Sequence, residues 1–169
     1  MKLEQIATIL RTTPQTLQQT LAPYDNEVAQ WHPTPDEWCI NEVLGHLIEA
    51  DKYAFAARIS LILSEENATI PRWSPTKAAK ERHDGQKNVH DLLAELTMQR
   101  AKSAEFVMNL DMSELERTGN YPPLGEFKAA DFLYEWPYHD FDHIQQIMDI
   151  LKAHAMLPMS ETMRSALGG

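Results

Sequence analysis

Two histidines four residues apart, His139 and His143, lie in the run Tyr138-His139-Asp140-Phe141-Asp142-His143-Ile144-Gln145-Gln146-Ile147. On a helix, positions i and i+4 share a face, so both imidazoles point the same way and offer two neutral nitrogens to one metal ion. A third ligand must come from elsewhere, and His46, in Leu44-Gly45-His46-Leu47-Ile48, is the best candidate. The expected metal ligands are therefore His46, His139 and His143. Three protein nitrogens leave a coordination position open, as in catalytic-type rather than closed structural sites.

Each of these residues also has a plainer reading. A His-x-x-x-His pair arises by chance on many helix surfaces, and a lone histidine in an apolar helix can be a core residue with both ring nitrogens hydrogen-bonded. The apolar Ile144, Ile147 and Met148 after the pair, with Gln145, Gln146 and neighbouring aspartates able to orient an imidazole through its second nitrogen, favour the metal reading. Asp51, five residues beyond His46, is expected behind the ligands or as a buried polar partner, not as a ligand. His32, His83, His90 and His154 read as structural or solvent-exposed. Cys39 is the only cysteine, so neither an intrachain disulfide nor a Cys-based zinc site is expected. It reads as a small apolar residue near a helix start.

The elements that must carry these groups are helical. Alternating β patterns are missing, and 3.6-residue periodicity recurs. Leu3, Ile6, Ala7 and Leu10 form a first stripe; Thr13-Pro14 predicts a restart, with Thr as cap and Pro in the first turn, ending before Pro23. Residues 26–38, with Pro33 and Pro35, read as a loop. A strongly apolar helix follows from about Cys39 to Leu63. Residues 64–86 are polar and broken by Pro71 and Pro75, long enough to include a short helix or a lid. A third long helix is expected over about Lys87 to Leu110, a loop over Asp111 to Glu126, and a last long helix over about Phe127 to Ala153, kinked or restarted at Pro137. The tail reads as irregular or a short helix. Four amphipathic helices with a long crossover predict an all-α, up-and-down four-helix bundle, one domain over residues 1–169.

The formal net charge of -10 argues against nucleic acid, whose binding draws on clustered Lys and Arg. The N-terminus lacks a signal-peptide pattern, and no run of about 18 apolar residues could span a membrane. Cytoplasmic residence without a membrane partner is expected.

Three stretches carry a resemblance. These are Leu10-Arg11-Thr12-Thr13-Pro14-Gln15-Thr16-Leu17; Glu37-Trp38-Cys39-Ile40-Asn41-Glu42-Val43-Leu44-Gly45-His46-Leu47; and Glu116 to Gly125 leading into His139-Asp140-Phe141-Asp142-His143-Ile144-Gln145-Gln146-Ile147. Together they resemble the DinB-like superfamily of bacterial metal-dependent proteins, which includes bacillithiol- and mycothiol-dependent transferases. The resemblance runs over nearly the whole chain and is most specific in the final His-Asp-x-x-His-x-x-Gln-Ile. It implies metal ligation by His46, His139 and His143, an opening helix with an internal Thr-Pro, and a homodimer. Cys39 departs from the usual helix-capping Ser, which should cost helix stability more than chemistry.

An open divalent ion can activate water for hydrolysis or hold a thiolate for attack on an electrophile. The resemblance favours a low-molecular-weight-thiol S-transferase acting on a small-molecule substrate. The alternatives are a metal-dependent hydrolase and a non-catalytic metal-binding or structural bundle. Zinc is the expected ion, although imidazole ligands also suit nickel, iron or copper. Binding is expected to weaken below about pH 6 as free imidazole protonates.

Overall fold

The computed structural model describes residues 1–167. Helix α1 (Leu3–Leu21) runs unbroken through Pro14, with Gln5 Oε1 accepting from the Lys2 N–H at its start. The predicted restart at Thr13-Pro14 does not occur. Proline removes one N–H and crowds the preceding turn, but both Thr13 and Pro14 are buried. The Thr12 hydroxyl donates to Ile9 O at 3.0 Å, and the Thr13 hydroxyl, 3.1 Å from the same carbonyl, shares its proton between that carbonyl and Asp140 Oδ2 at 2.6 Å. Packing and these bonds keep the helix whole.

The expected loop over 26–38 contains one turn of helix, α2 (Asn26–Ala29), capped by the Asp25 carboxylate. Helix α3 (Ile40–Ala50) passes through a π-helical segment (Asp51–Ala56) into α4 (Ala57–Ser64), so the predicted apolar helix forms with an inserted irregularity. Within 64–86, Ser74 caps α5 (Pro75–Arg82) with Pro75 in its first turn, and a short 3₁₀ turn follows at Asp84–Gln86. Then comes α6 (Val89–Met108).

The stretch expected to be only a loop before the last helix holds an antiparallel hairpin, β1 (Thr118–Tyr121) and β2 (Gly125–Lys128), with Thr118 opposite Lys128. Its strands are four residues long, too short to show alternation. The backbone of Asn120 also pairs with the 68–70 segment, donating to Ala68 O and accepting from Ile70 N–H, both at 2.8 Å. Helix α7 (Ala129–Met156) is continuous through the buried Pro137, and α8 (Glu161–Ala166) ends the described chain.

The four long helical units form the bundle. α1 and the α3–α4 unit lie on opposite corners, and each packs against both α6 and α7. One apolar cluster gathers Ile6 and Leu10 of α1, Ile59 and Ile62 of α4, Val107 of α6 and Phe132, Leu133 and Trp136 of α7. The other gathers Leu17 and Leu21, Val43 to Ile48, Leu92 to Leu96, and Ile147 to Leu151. Following each helix from one cluster to the other shows α1 running parallel to α7, and α3–α4 parallel to α6. The expected long crossover thus joins two parallel helices, which is why residues 65–88 must return along the length of the bundle before α6 begins.

Between the clusters each helical unit contributes a buried polar side chain: Thr13, Asp51, Arg100 and Asp140. Arg100 Nη2 donates to Asp140 Oδ1 at 2.6 Å and lies 3.3 Å from Asp51 Oδ1. Ser103 Oγ and Trp136 Nε1 donate to Asp51, and Thr13 Oγ1 donates to Asp140. A guanidinium taken from water is tolerated here because two carboxylates flank it. Burial works against the charge on Arg100, but Asp51 and Asp140 hold its pKa above the ordinary value. The same burial pushes Asp51 up to about 6 and raises Asp140, against the lowering influence of Arg100.

Candidate metal centre

His46 stands on the inner face of α3, and the residue before it explains how the neighbouring chain approaches so closely. A Cβ on Gly45 would fall 1.8 Å from Asp84 Oδ2 and 2.9 Å from Asp84 Cβ, so only glycine admits this contact. Asp84 is fixed by Arg82 Nε at 2.6 Å and Lys87 Nζ at 2.7 Å, which clamps the 82–87 segment onto α3. Two indoles pack on the His46 ring: Trp73 stacks on it at 5.6 Å and Trp38 tilts against it at 5.0 Å. Its plane is set by these contacts rather than by a hydrogen bond.

His139 and His143 project from adjacent turns of α7, with ring centroids 4.3 Å apart. The π segment positions Phe55, whose ring meets the edge of His139 at 5.2 Å and stacks on Trp136. The three histidines converge through like atoms. His139 Nε2 is 2.9 Å from His46 Nε2 and 3.1 Å from His143 Nε2. Two nitrogens bound to one tetrahedral ion at about 2.0–2.1 Å lie about 3.3 Å apart, close to these separations. His143 Nδ1 donates to Gln146 Oε1 at 2.7 Å, which leaves its Nε2 lone pair facing the group.

The donor set fits a cation. Nε2 of His139 has one in-plane lone pair and cannot accept two aligned N–H donors from its neighbours. One ion among three lone pairs satisfies all three. The rings are also held neutral. Burial, then the charges of His143, His46 and Arg100, pushes His139 down to about 2. Burial and His143 push His46 down to about 3, and burial lowers His143 as well. Protons therefore compete for these nitrogens at lower pH than the value near 6 anticipated from free imidazole.

A cavity of about 850 Å³ opens beside His143, with Asp36, Glu37, Trp38, Asp142 and Gln146 on its wall. Asp51 lies in the polar layer, bonded to Ser103 and Trp136, so it is a buried polar partner and not a ligand. Its neighbour in that layer, Asp140, sits directly after His139 and ties the ligand helix to α1 and α6 through Thr13 and Arg100.

Cys39 is the buried N-cap of α3, and burial pushes its thiol up to about 11, far from a reactive thiolate. Loss of the capping hydroxyl is partly offset. Glu42 accepts from the Cys39 N–H at 2.9 Å, and the sulfur takes the hydroxyl's place in a capping box. His32, His83 and His90 are exposed, and His154 packs edge-on to Trp31 at 5.2 Å. The flanking Trp38 and Trp73, the Gly45–Asp84 contact and Arg100 were not singled out from sequence. Only Trp38 carried a signal, its place in the Trp-Cys-x-x-Glu-x-x-x-His run.

The family model of the DinB superfamily matches residues 9–147. The chain belongs to the DinB superfamily. A protein of Bacillus cereus strain AH820 named "Putative metal-dependent hydrolase" is 27% identical over 115 residues, covering 68% of this chain and 65% of its own length. A Bacillus anthracis protein of the same name matches equally. The chain thus spans about 65% of the length of these curated relatives. YfiT of Bacillus subtilis, described as a probable metal-dependent hydrolase with an unusual four-helix bundle topology, superposes with a TM-score of 0.79 at 16% identity, covering 90% of this chain and 87% of YfiT. A variant of mycothiol-dependent maleylpyruvate isomerase gives a TM-score of 0.63 at 14% identity, over 85% of this chain and 59% of that one. At these identities the likeness to YfiT and the isomerase concerns the fold. Among the described residues no helix is long and apolar enough to cross a membrane.

Proposed function

We propose that the chain is a mononuclear metal-dependent hydrolase in which His46, His139 and His143 hold one divalent ion, with zinc the first choice. The observation that carries this reading is the meeting of three neutral Nε2 atoms beside an open cavity. When bound, the ion supplies Lewis acidity at its open position, polarising a carbonyl or lowering the pKa of water or a thiol. The chain's own residues do the rest. Gln146 fixes the tautomer of His143, Trp38 and Trp73 hold the plane of His46, and Phe55 closes the inner side of His139. Asp36, Glu37 and Asp142 on the cavity wall are available to accept a proton from a bound nucleophile. Hydrolysis is also the activity named for the Bacillus relatives.

The second reading is transfer of a low-molecular-weight thiol to an electrophile, favoured by the likeness in fold to the mycothiol-dependent isomerase. In either case the chain acts on a small molecule. A homodimer completes the proposal, supported by Tyr134, Tyr138, Phe141 and Met148. These exposed side chains are spaced four, three and seven residues apart along one face of α7.

The deciding experiment is elemental analysis of untagged protein, followed by assays on ester, amide and thiol–electrophile substrates with the recovered metal. An ion that His46→Ala and His143→Ala each remove, with helical circular dichroism intact, supports the site. Absence of metal from the intact chain after reconstitution overturns it. A metal-loaded protein that turns over thiol and electrophile but no ester or amide would replace the first reading with the second.

A further inference from the structure

The loop between α2 and α3 is held at both ends by groups that the histidine triad does not use. His32 opens the loop and Cys39 closes it, and Glu42 stands one turn into α3. His32 Nε2 lies 3.0 Å from Glu42 Oε2, and His32, Cys39 and Glu42 each present one donor atom within 4.8 Å of the other two. A second cavity, of about 390 Å³, opens onto His32 and Glu42, with His83 and Gly85 on its wall. A Cβ on Gly85 would have Glu42 and the Cys39 sulfur as its nearest neighbours, at 3.6–3.7 Å. The capping box explains why Glu42 reaches the Cys39 N–H, and a surface hydrogen bond explains its contact with His32. Neither explains a thiol at a helix N-cap, where sulfur is a poorer acceptor than a hydroxyl or carboxylate.

We propose that His32, Cys39 and Glu42 form a second site for a zinc-like divalent ion, distinct from the imidazole triad. A tetrahedral ion with nitrogen, oxygen and sulfur ligands at about 2.0–2.3 Å sets those atoms roughly 3.3–3.6 Å apart. The imidazole and carboxylate, 3.0 Å apart, already lie near that separation, and His32 is exposed. The mixed set with one thiolate selects zinc over magnesium or calcium. On binding, the ion replaces the thiol proton, which leaves to solvent; Glu42 Oε2, which already faces both His32 Nε2 and the Cys39 N–H, keeps the N–H on one lone pair while the other meets the ion. The positive end of α3 favours the thiolate so formed.

The site bears on the triad through the loop it closes. Residues 33–38 supply Pro33, Asp36, Glu37 and Trp38 to the wall of the larger cavity, and Trp38 rests on His46. An ion joining the two ends of this loop to α3 pins that wall in place.

Cobalt(II) titration of the full chain tests the assignment without reference to activity. Two ions per chain are expected, with a thiolate-to-cobalt charge-transfer band in the near ultraviolet. Cys39→Ser keeps a sound helix cap, so the fold should survive; the band should vanish and the stoichiometry fall to one. His32→Ala should weaken the band, and His46→Ala should remove an ion while leaving it. No thiolate band in the intact chain, or a band unchanged by His32→Ala, overturns the proposal. A band in a chain that takes up no ion at the triad would support this site and sink the reading above, so the two fail separately.

Discussion

His46 Nε2 lies 2.9 Å from His139 Nε2, although 93 residues separate them in the chain. Two imidazole nitrogens this close are held together by a shared proton or a shared cation. The alternatives differ in what happens when metal is offered. With free zinc at 100 times its dissociation constant, the folded state should gain about 2.7 kcal/mol. Thermal unfolding of chelator-treated protein should rise by several degrees on adding zinc, and the rise should be clearly smaller in His139→Ala. A melting curve indifferent to zinc in the intact chain would leave only the shared proton.

Proton competition is a second test. His46 at about 3 and His139 at about 2 are depressed from 6.5 by burial, and His143 is lowered too. In the folded chain His46 and His139 take up protons only near those values, and His143 is shifted in the same direction, so zinc affinity should decline less steeply between pH 7 and 5 than free imidazoles would give. Competition against a chromophoric chelator whose own titration is known measures this directly. A steep decline beginning near pH 6.5 would show exposed, ordinary imidazoles.

The same shifts affect the metal-free fold. An unfolded histidine takes up a proton below about 6.5 while the folded one does not, so His46 and His139 contribute stability that is lost as pH falls from about 6.5 towards 3, and His143 contributes in the same direction. Asp51 has the opposite sign. Raised to about 6, it contributes stability that is present at low pH and lost as pH rises through 6. Replacing His46 by Phe should therefore flatten the acid side of the stability profile, and Asp51→Asn should flatten the rise-dependent loss near pH 6. Urea titrations at half-unit pH steps would reveal both slopes, and unchanged slopes would contradict the burial argument.

Much of the site and bundle is legible in the chain because it rests on short-range spacing. The i, i+4 pair on α7 and the apolar run around His46 mark the three histidines that the fold brings together, and the stripes of α1, α3–α4, α6 and α7 show four helical units. What escapes is set by distant contacts. Pro14 reads as a break, but burial and the Thr12 and Thr13 hydroxyls carry α1 through it. The π segment at Asp51–Ala56 has no local signature; it places Asp51 in the polar layer beside Arg100. The hairpin at 118–128 draws on pairing with residues 68–70, fifty positions away.

Arg100 and Asp140 are buried at 1% and 0% exposure. Asp140→Ala should cost about 3–5 kcal/mol, since it removes the shorter of two ion pairs from a buried guanidinium, leaving only Asp51, and takes the carboxylate from the Thr13 hydroxyl. Chemical denaturation measures the loss. A cost below about 1 kcal/mol would mean that water reaches Arg100 and the layer is not sealed.

Gly45→Ala should destabilise by about 1–3 kcal/mol through collision with Asp84. In an Asp84→Gly background the same change should be close to neutral. Equal costs in both backgrounds would place the conflict elsewhere.

The belt formed by Thr13, Asp51, Arg100 and Asp140 parts the apolar interior into two compartments. Substitutions in one compartment have no oily continuum through which to propagate into the other. Sequence drift at the Trp136 end can therefore proceed semi-independently of the end that bears Leu44 and Ile147. An ancestral scaffold of this design could exchange one half of its filling while the charged girdle kept the register of all four long helical units.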